Sequence, residues 1–379
     1  MQRDAAALKA ALADLEQRNL KRTRRIMPRD DLINFCSNDY LGLSAHPEVI
    51  RAFQDAASRY GVGSGASHLV TGHGPEHEAL ENELAAFAGR EKALVFSTGY
   101  MANMGVIGAL ADQTATIVSD KLNHASLIDG GRLTRAHSLR YRHGDADHAR
   151  EHLEELDESI ESRLLITDGV FSMDGDLAPL PALARTAREA GAWLIVDDAH
   201  GLGVVGNTGR GVCEHFNLST QDVPVLVGTF GKAFGTFGAF VAGDADLVEF
   251  LIQKSRPYIY TTALPPAVAA ATRAALRVSQ RESWRREKVL ALAERFRRGL
   301  AEVFPDSRPG TAIQPVIVGD AQRALAISRV LEEKGFLVTA IRPPTVPAGT
   351  ARLRVTLSAA HEESQVDALI AAFREALAA

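Results

Sequence analysis

Two apolar runs of the sequence each end in residues that could do chemistry. The first run ends at Asp197, and the second ends at Thr229, shortly before Lys232. If both runs are strands, about one βαβ unit separates Asp197 from Lys232, which brings them to the same edge of a parallel sheet. A lysine can form an imine with an aldehyde, and a carboxylate can keep a pyridine nitrogen protonated so that the ring accepts electrons. Because a hydroxyl beside the lysine also suits a phosphate, the pair predicts a pyridoxal phosphate (PLP) site. Taken singly, the aspartate is typical of a helix cap and the lysine of an ordinary solvated residue.

Two further predicted strands are followed by residues suited to the same site. Residues 97–103 (STGYMAN) lie between a strand and a helix, where hydroxyls and backbone N–H groups can bind a phosphate. Tyr100 could stack on a ring, although an aromatic residue that merely begins the helix fits equally well. His124 follows the next strand and could lie flat on a cofactor ring, whereas an isolated histidine is more often a surface or core residue.

Several rival motifs lack the spacing that their chemistry requires. Gly231 and Lys232 are followed by Ala233, so the phosphate loop GxxxxGK with a final Ser or Thr is absent. The glycines of residues 61–65 follow a helical pattern rather than a strand, which indicates a substrate loop rather than a dinucleotide site. Two groups of histidines could be imagined as metal ligands, and they are His68, His73 and His77, and His143, His148 and His152. Neither group has HExxH or CxxC support, so the sequence predicts no metal site.

Helical patterns alternate with short apolar runs between about residues 45 and 245. The runs are rich in leucine and β-branched residues and do not alternate with polar ones, which is typical of strands buried on both faces. Strands are predicted at 93–96, 115–119, 164–167, 193–197, 223–229 and 239–241. Helices are predicted at 48–60, 76–88, 101–110, 147–159 and 180–190. This order predicts a largely parallel sheet with right-handed crossovers, in which ligands bind beyond the carboxyl ends of the strands.

The two ends of the chain show a different pattern. Residues 1–25 predict an amphipathic helix with a basic run near its end, which is either a solvated cluster or an anion-binding site. The basic residues are Lys21, Arg22, Arg24 and Arg25. A long helical pattern at 265–303 leads into a second unit, with strands predicted at 313–318, 337–341 and 353–357 and helices at 321–334 and from 361. The predicted organisation is an N-terminal segment (1–45), a large domain (46–275) and a small α/β domain (276–379).

The composition is that of a folded protein. Of its 379 residues, 46% are hydrophobic and 23% are charged, so disorder as the main state is excluded. The net charge of −5 argues against a nucleic acid or an anionic membrane as a partner. The two cysteines, Cys36 and Cys213, cannot form a disulfide framework, which predicts a reducing compartment. We expect a cytoplasmic protein, because neither a signal peptide nor an apolar stretch long enough to span a bilayer is found.

Several motifs together resemble those of the α-oxoamine synthases. They lie at 34–42 (NFCSNDYLG), 97–103 (STGYMAN), 123–126 (NHAS), 168–176 (DGVFSMDGD), 196–201 (VDDAHG) and 229–232 (TFGK). Members of this family are PLP-dependent transferases of fold type I that join an amino acid to an acyl-CoA thioester with loss of CO2. The resemblance covers most of the chain. It implies a large domain with a mostly parallel sheet flanked by helices, plus a small C-terminal α/β domain.

The resemblance implies roles for the residues around the cofactor. Lys232 would form the imine and act as acid and base, while Asp197 would pair with the ring nitrogen and His200 with the phenolic oxygen. His124 would stack on the ring face and would also contact the substrate. Four further residues would bind PLP, and they are Gly99, Tyr100, Ser172 and Thr229. Two residues would reach the phosphate of a partner subunit in a homodimer with shared active sites, and they are Thr261 and Thr262.

The resemblance also implies the substrates. Residues 340–354 resemble most closely the biotin-pathway branch of the family, whose members join L-alanine to a pimeloyl thioester of CoA or of a carrier protein; the alternative is a glycine- or serine-using member. The substrate contacts would be Asn38 and Arg354 at the amino acid carboxylate, Thr345 in the acyl site and Arg22 at the distal acyl carboxylate. Lys21 and Arg24 compete with Arg22 for that position. The loop at 63–67 departs from the family pattern because Ala66 replaces a glycine, which would stiffen it.

Overall fold

A computed structural model of the chain describes residues 5–18, 20–24, 26–27, 31–157, 159–301 and 310–378. The chain divides into two compact units. The sheet unit is Asn38–Leu290, and the terminal unit combines Met1–Ser37 with Ala291–Ala379. The domain boundaries predicted after residues 45 and 275 stay predictions. Arg25 and parts of the helices predicted at 1–25, 147–159 and 265–303 lie outside the described residues.

The strands and helices are numbered in chain order. The strands are β1 (Ile33–Asn34), β2 (Lys92–Phe96), β3 (Thr116–Asp120), β4 (His137–Tyr141), β5 (Arg163–Asp168), β6 (Trp193–Asp197), β7 (Val225–Thr229), β8 (Ala239–Gly243), β9 (Ile313–Gly319), β10 (Phe336–Leu337), β11 (Thr339–Ile341) and β12 (Ala351–Thr356). The α-helices are α1 (Ala5–Gln17), α2 (Pro47–Tyr60), α3 (Pro75–Ala88), α4 (Gly99–Leu110), α5 (Ala125–Thr134), α6 (Ala146–Glu154), α7 (Leu180–Glu189), α8 (Val212–His215), α9 (Ala245–Lys254), α10 (Arg256–Ile259), α11 (Pro266–Arg281), α12 (Trp284–Gly299), α13 (Ala321–Glu333) and α14 (Glu363–Ala378). A π-helical turn lies at His68–Gly72.

The strands of the sheet unit form one seven-stranded sheet in the order β2-β8-β7-β6-β5-β3-β4. β8 runs antiparallel to β2 and β7, and all other neighbours pair in parallel. Six strands therefore point in one direction, and we call the edge where they end the carboxyl edge. The register places Asp168 opposite Asp197, and Asp197 opposite Val227. The predicted α/β fold with a mostly parallel sheet flanked by helices is confirmed.

Apolar side chains on both faces hold the central strands in place. Leu164 of β5 and Ile195 of β6 are fully buried and share one apolar cluster with Val106 of α4, Leu127 of α5 and Leu251 of α9. Each such side chain contributes roughly 1.5–3 kcal/mol when it leaves water. Because this packing fixes the strands, the residues at their carboxyl ends keep fixed positions relative to one another.

Three details of the predicted elements were wrong. β4 was not predicted because its sequence, HSLRY, is polar, and the strand lies at the edge of the sheet with most of its residues exposed. The single strand predicted at 337–341 is β10 and β11, which pair with different partners, β1 and β12. The single helix predicted at 265–303 ends at Arg281, and a new helix begins at Trp284.

The terminal unit has its own small sheet. Its antiparallel strands lie in the order β11-β12-β9, and β1 pairs with β10 in parallel. The ring of Phe35 stacks on His361 with 4.1 Å between ring centroids. Among the described helices of both units, none combines the length and the hydrophobicity that a membrane-spanning segment requires.

Candidate active site

Polar residues gather at the carboxyl edge of the sheet unit. Asp168, Asp197 and Thr229 are the last residues of β5, β6 and β7. Ser97 directly follows β2, and His124 lies shortly after β3. Since these five strands are parallel, their ends meet at one edge. The structure thus brings together residues that the sequence analysis had placed there from strand spacing alone.

Two N–H donors hold the Asp197 carboxylate. The Asn103 side-chain amide donates to Asp197 Oδ2 at 2.6 Å, and the backbone N–H of Ala199 donates to Oδ1 at 3.0 Å. The same Asn103 amide also donates to Ser126 Oγ at 2.8 Å. Asp197 is only 5% exposed, so this fixed acceptor is shielded from water. The sequence analysis gave Asn103 no role; its one signal was its place in the 97–103 motif.

Lys232 belongs to a chain of hydrogen bonds that crosses the site. Lys232 Nζ lies 2.8 Å from His200 Nε2, and His200 Nδ1 lies 2.7 Å from the Tyr40 hydroxyl. That hydroxyl donates to Asn38 Oδ1 at 3.1 Å. Tyr40 and His200 are buried, which favours hydrogen bonds that keep one geometry. Tyr40 was part of a recognised motif, but the sequence analysis did not single it out.

His124 is anchored through both its backbone and its ring. Its backbone N–H donates to Asp168 Oδ2 at 2.7 Å, and its Nδ1 lies 2.7 Å from Ser126 Oγ. Burial of the imidazole lowers the pKa of His124, which favours the neutral ring, although the residue as a whole remains exposed. The ring of Tyr100 meets His124 edge-on with 6.4 Å between centroids, and the Tyr100 hydroxyl bonds to Asp129.

Burial controls the charge of the carboxyl groups near Lys232. Burial, together with the charge of Asp197, raises the pKa of Asp168 well above its usual range. Burial also raises the pKa of Asp198, whose Oδ2 accepts the backbone N–H of Val212 at 2.8 Å. The positive charge of Lys232 opposes both increases. The carboxyl groups of Asp168 and Asp198 therefore favour the neutral form.

The N-terminus of α4 adjoins the end of β7. A Cβ placed on Gly99 would lie 3.9 Å from the side chain of Thr229, so the start of α4 lies next to that side chain. Thr98 caps α4 by accepting the backbone N–H of Met101 at 3.1 Å. Thr262 lies beside this corner, because its carbonyl accepts the Ser97 hydroxyl at 3.4 Å. Helix N–H groups and hydroxyls are the donors that bind phosphate groups in proteins.

The groups at the carboxyl edge fit PLP. The Lys232 amine can bond an aldehyde, the Asp197 carboxylate can pair with a protonated pyridine nitrogen, and the start of α4 can bind a phosphate. The charges of Asp197 and Lys232 both act on His124 and Asp168, which places all four groups within one electrostatic neighbourhood.

A short hairpin carries Ser172 beside the end of β5. Its base is the bridge between Val170 and Leu177. Asp176 of the hairpin lies 3.0 Å from His143 Nε2, and His143 Nδ1 lies 3.0 Å from Asp120 Oδ1 at the end of β3. The contacts of His143 therefore join this hairpin to the end of β3. The contact of Ser172 with a cofactor stays a prediction, as does that of Thr261, which directly precedes Thr262.

Three of the predicted substrate residues belong to the terminal unit. Arg22 Nη2 donates to the Thr345 hydroxyl at 3.2 Å, so these two residues lie together. Arg354 lies on β12 opposite Thr339 and is 8% exposed. The other two, Asn38 and His124, belong to the sheet unit. The roles of all five in substrate binding stay predictions.

The sequence matches the family Aminotransferase class I and II over residues 30–373. An 8-amino-7-oxononanoate synthase from Methylococcus capsulatus (strain Bath) is 57% identical over 380 residues, which cover 97% of each chain. A protein of the same name from Pseudomonas putida (strain GB-1) is 58% identical over 347 residues, which cover 91% of this chain and 88% of that one.

Solved structures share the fold. A serine palmitoyltransferase from S. paucimobilis with bound PLP and myriocin has a TM-score of 0.91 and 31% identity, over 99% of this chain and 98% of that one. An 8-amino-7-oxononanoate synthase from Francisella tularensis has a TM-score of 0.80 and 30% identity, over 92% of this chain and 99% of that one. The predicted fold type I architecture is therefore confirmed.

Proposed function

Since the chain belongs to the class I and II aminotransferases and, among them, to the α-oxoamine synthases, we propose that it condenses L-alanine with a pimeloyl thioester. The products are 8-amino-7-oxononanoate, CO2 and a free thiol, in biotin biosynthesis. The observation that carries this proposal is the 57% identity over 97% of both chains to a synthase of that product. The convergence of Lys232, Asp197 and His200 on one edge of the sheet supports it.

The cofactor is PLP, which when bound supplies an electron sink for the negative charge that develops on the amino acid Cα. We assign Lys232 to its aldehyde, Asp197 to its ring nitrogen and His200 to its phenolic oxygen. His124 would cover the ring face. Four residues around the start of α4, the end of β7 and the hairpin would complete the site, and they are Gly99, Tyr100, Ser172 and Thr229.

Lys232 would move the proton. Its amine would take the proton from Cα of alanine and return one to the same carbon after CO2 leaves. A base works best when its partners keep it positioned, and His200 lies within hydrogen-bond distance of Nζ. Asp197 would hold the proton on the ring nitrogen, because its two donors fix the carboxylate.

Recognition of the substrates involves Asn38, Arg354, Arg22 and Thr345. An arginine binds a carboxylate through two parallel hydrogen bonds, so Arg354, with Asn38, would fix the rotation of the amino acid. The 3.2 Å contact between Arg22 and Thr345 supports their shared assignment to the acyl chain, with Arg22 at its distal carboxylate. CoA and a carrier protein remain alternative carriers of the thioester.

We also propose a cytoplasmic homodimer with shared active sites. Thr261 and Thr262 would reach the phosphate bound by the partner subunit. Analytical ultracentrifugation should give twice the 40.7 kDa chain mass. Mixed dimers of Lys232→Ala and Thr262→Ala subunits should recover part of the activity that each variant loses, because one of the two shared sites is then intact.

Thiol release from pimeloyl-CoA tests the substrate assignment directly. L-Alanine should support turnover well above that with glycine or L-serine, which the structural similarity to serine palmitoyltransferase makes the relevant competitors. Lys232→Ala should abolish both turnover and the visible absorbance of the imine, and Lys92→Ala, at an exposed residue that begins β2, should change neither. Faster turnover with glycine or L-serine would contradict the proposal, as would activity in Lys232→Ala.

A further inference from the structure

The hydrogen-bond chain from Asn38 to Lys232 determines where the proton of His200 resides. The Tyr40 hydroxyl donates its only proton to Asn38 Oδ1 at 3.1 Å, so towards His200 its oxygen can only accept. This arrangement favours the tautomer in which His200 Nδ1, 2.7 Å from that oxygen, carries the proton. In a neutral imidazole the other nitrogen, Nε2, has the lone pair, and Nε2 lies 2.8 Å from Lys232 Nζ.

We propose that Tyr40 is a positioning residue, which holds His200 so that its Nε2 takes the proton that Lys232 must lose before its amine can bond an aldehyde. In this step an N–H bond breaks at Lys232 Nζ and an N–H bond forms at His200 Nε2. The positive charge passes from the ammonium group to the imidazole, and no other bond changes. The inference rests on the proposed use of Lys232 as the amine that bonds PLP.

Two features of the structure support a positioning role for Tyr40. Tyr40 has no exposed surface and His200 is 6% exposed, so bulk water does not compete for Nδ1. The rings meet at 47° with 6.1 Å between centroids, so the hydroxyl rather than the ring face makes the contact. Removal of the hydroxyl takes this acceptor away from Nδ1, which favours movement of the proton to Nε2, where it blocks transfer from Lys232.

The test measures capture of PLP by the full-length protein after removal of bound cofactor. The rise of visible absorbance gives the rate at which Lys232 bonds the aldehyde, independently of turnover. Tyr40→Phe should slow capture by about fivefold, the change expected for one hydrogen bond of ordinary net strength. Tyr141→Phe is the matched control, because Tyr141 is equally buried and lies at the end of β4; it should capture PLP at the wild-type rate.

A double-mutant cycle separates positioning from a general structural effect. If Tyr40 acts through His200, adding Tyr40→Phe to His200→Asn should slow capture no further than His200→Asn alone. In addition, 15N-histidine NMR of the wild type after removal of bound cofactor should show His200 protonated at Nδ1 and bare at Nε2.

Three results would overturn the inference: unchanged capture in Tyr40→Phe, an undiminished effect of Tyr40→Phe in the His200→Asn background, or a wild-type His200 protonated at Nε2 alone. A wild-type protein that captures no PLP would overturn the proposed function as well. The failure of either proposal can therefore be told apart from the failure of the other.

Discussion

Replacing His143 with glutamine should make the thermal stability of the protein less dependent on pH. Burial of the imidazole opposes its charge, but hydrogen bonds and charges from Asp120 and Asp176 outweigh this effect and raise the pKa of His143 to about 10. In the unfolded chain the pKa is close to 6.5. Because the folded protein binds the proton more tightly, the stabilisation is complete below pH 6.5 and disappears as the pH rises through 10.

The size of the effect follows from the two pKa values. Taken at face value, they correspond to a contribution of roughly 5 kcal/mol to the free energy of unfolding at pH values below the lower pKa. The His143 side chain is 21% exposed, so water screens part of its interaction with the two carboxylates. We therefore expect the charged imidazole to contribute about 3 kcal/mol to the free energy of unfolding at about pH 6. Because the imidazole loses its proton as the pH rises, about two thirds of this stabilisation should be lost by about pH 9.

Differential scanning calorimetry of wild type and His143→Gln at both pH values measures this change. The variant should melt about 4 °C below the wild type near pH 6, and the gap should narrow by about 2–3 °C near pH 9. His137→Gln is the control, because His137 is an exposed histidine of the nearby edge strand β4. A gap of equal size at both pH values would refute the proposed role of the charged imidazole, since lost packing alone does not depend on pH.

Three other substitutions, one of them with a control variant, test separate parts of the structure. Asn103→Ala removes the donor to Asp197 Oδ2 and should weaken PLP binding by at least about tenfold in an absorbance titration, because hydrogen bonds to charged groups contribute about 1.5–3 kcal/mol; unchanged binding would contradict this. Gly235→Ala should lower the melting temperature by several degrees, because φ is +65° and the new Cβ would lie 2.3 Å from Ser44 N. Gly108→Ala, with open space around it, should not lower the melting temperature. Arg22→Gln should raise KM for pimeloyl-CoA by about tenfold or more without changing KM for L-alanine, in line with the loss of a charge-assisted pair; an equal rise in both would argue against the assignment to the acyl carboxylate.

Much of the fold could be predicted because its signals are local. Strands buried on both faces must be apolar along their whole length, so β5 and β6 stand out from the sequence. β4 does not, because an exposed edge strand needs no apolar run. The break between α11 and α12 was also missed, since both flanking segments have helical patterns.

The sequence by itself determined which residue types end the parallel strands, and hence that Asp197, Lys232 and His124 share one edge. Only the tertiary structure decided which hydrogen-bond partners fix the positions of these side chains. The Asn103–Asp197 bond joins residues 94 positions apart, and the Tyr40–His200 bond joins residues 160 positions apart. Local periodicity reports on the next turn or strand, whereas such contacts depend on how whole elements pack against one another.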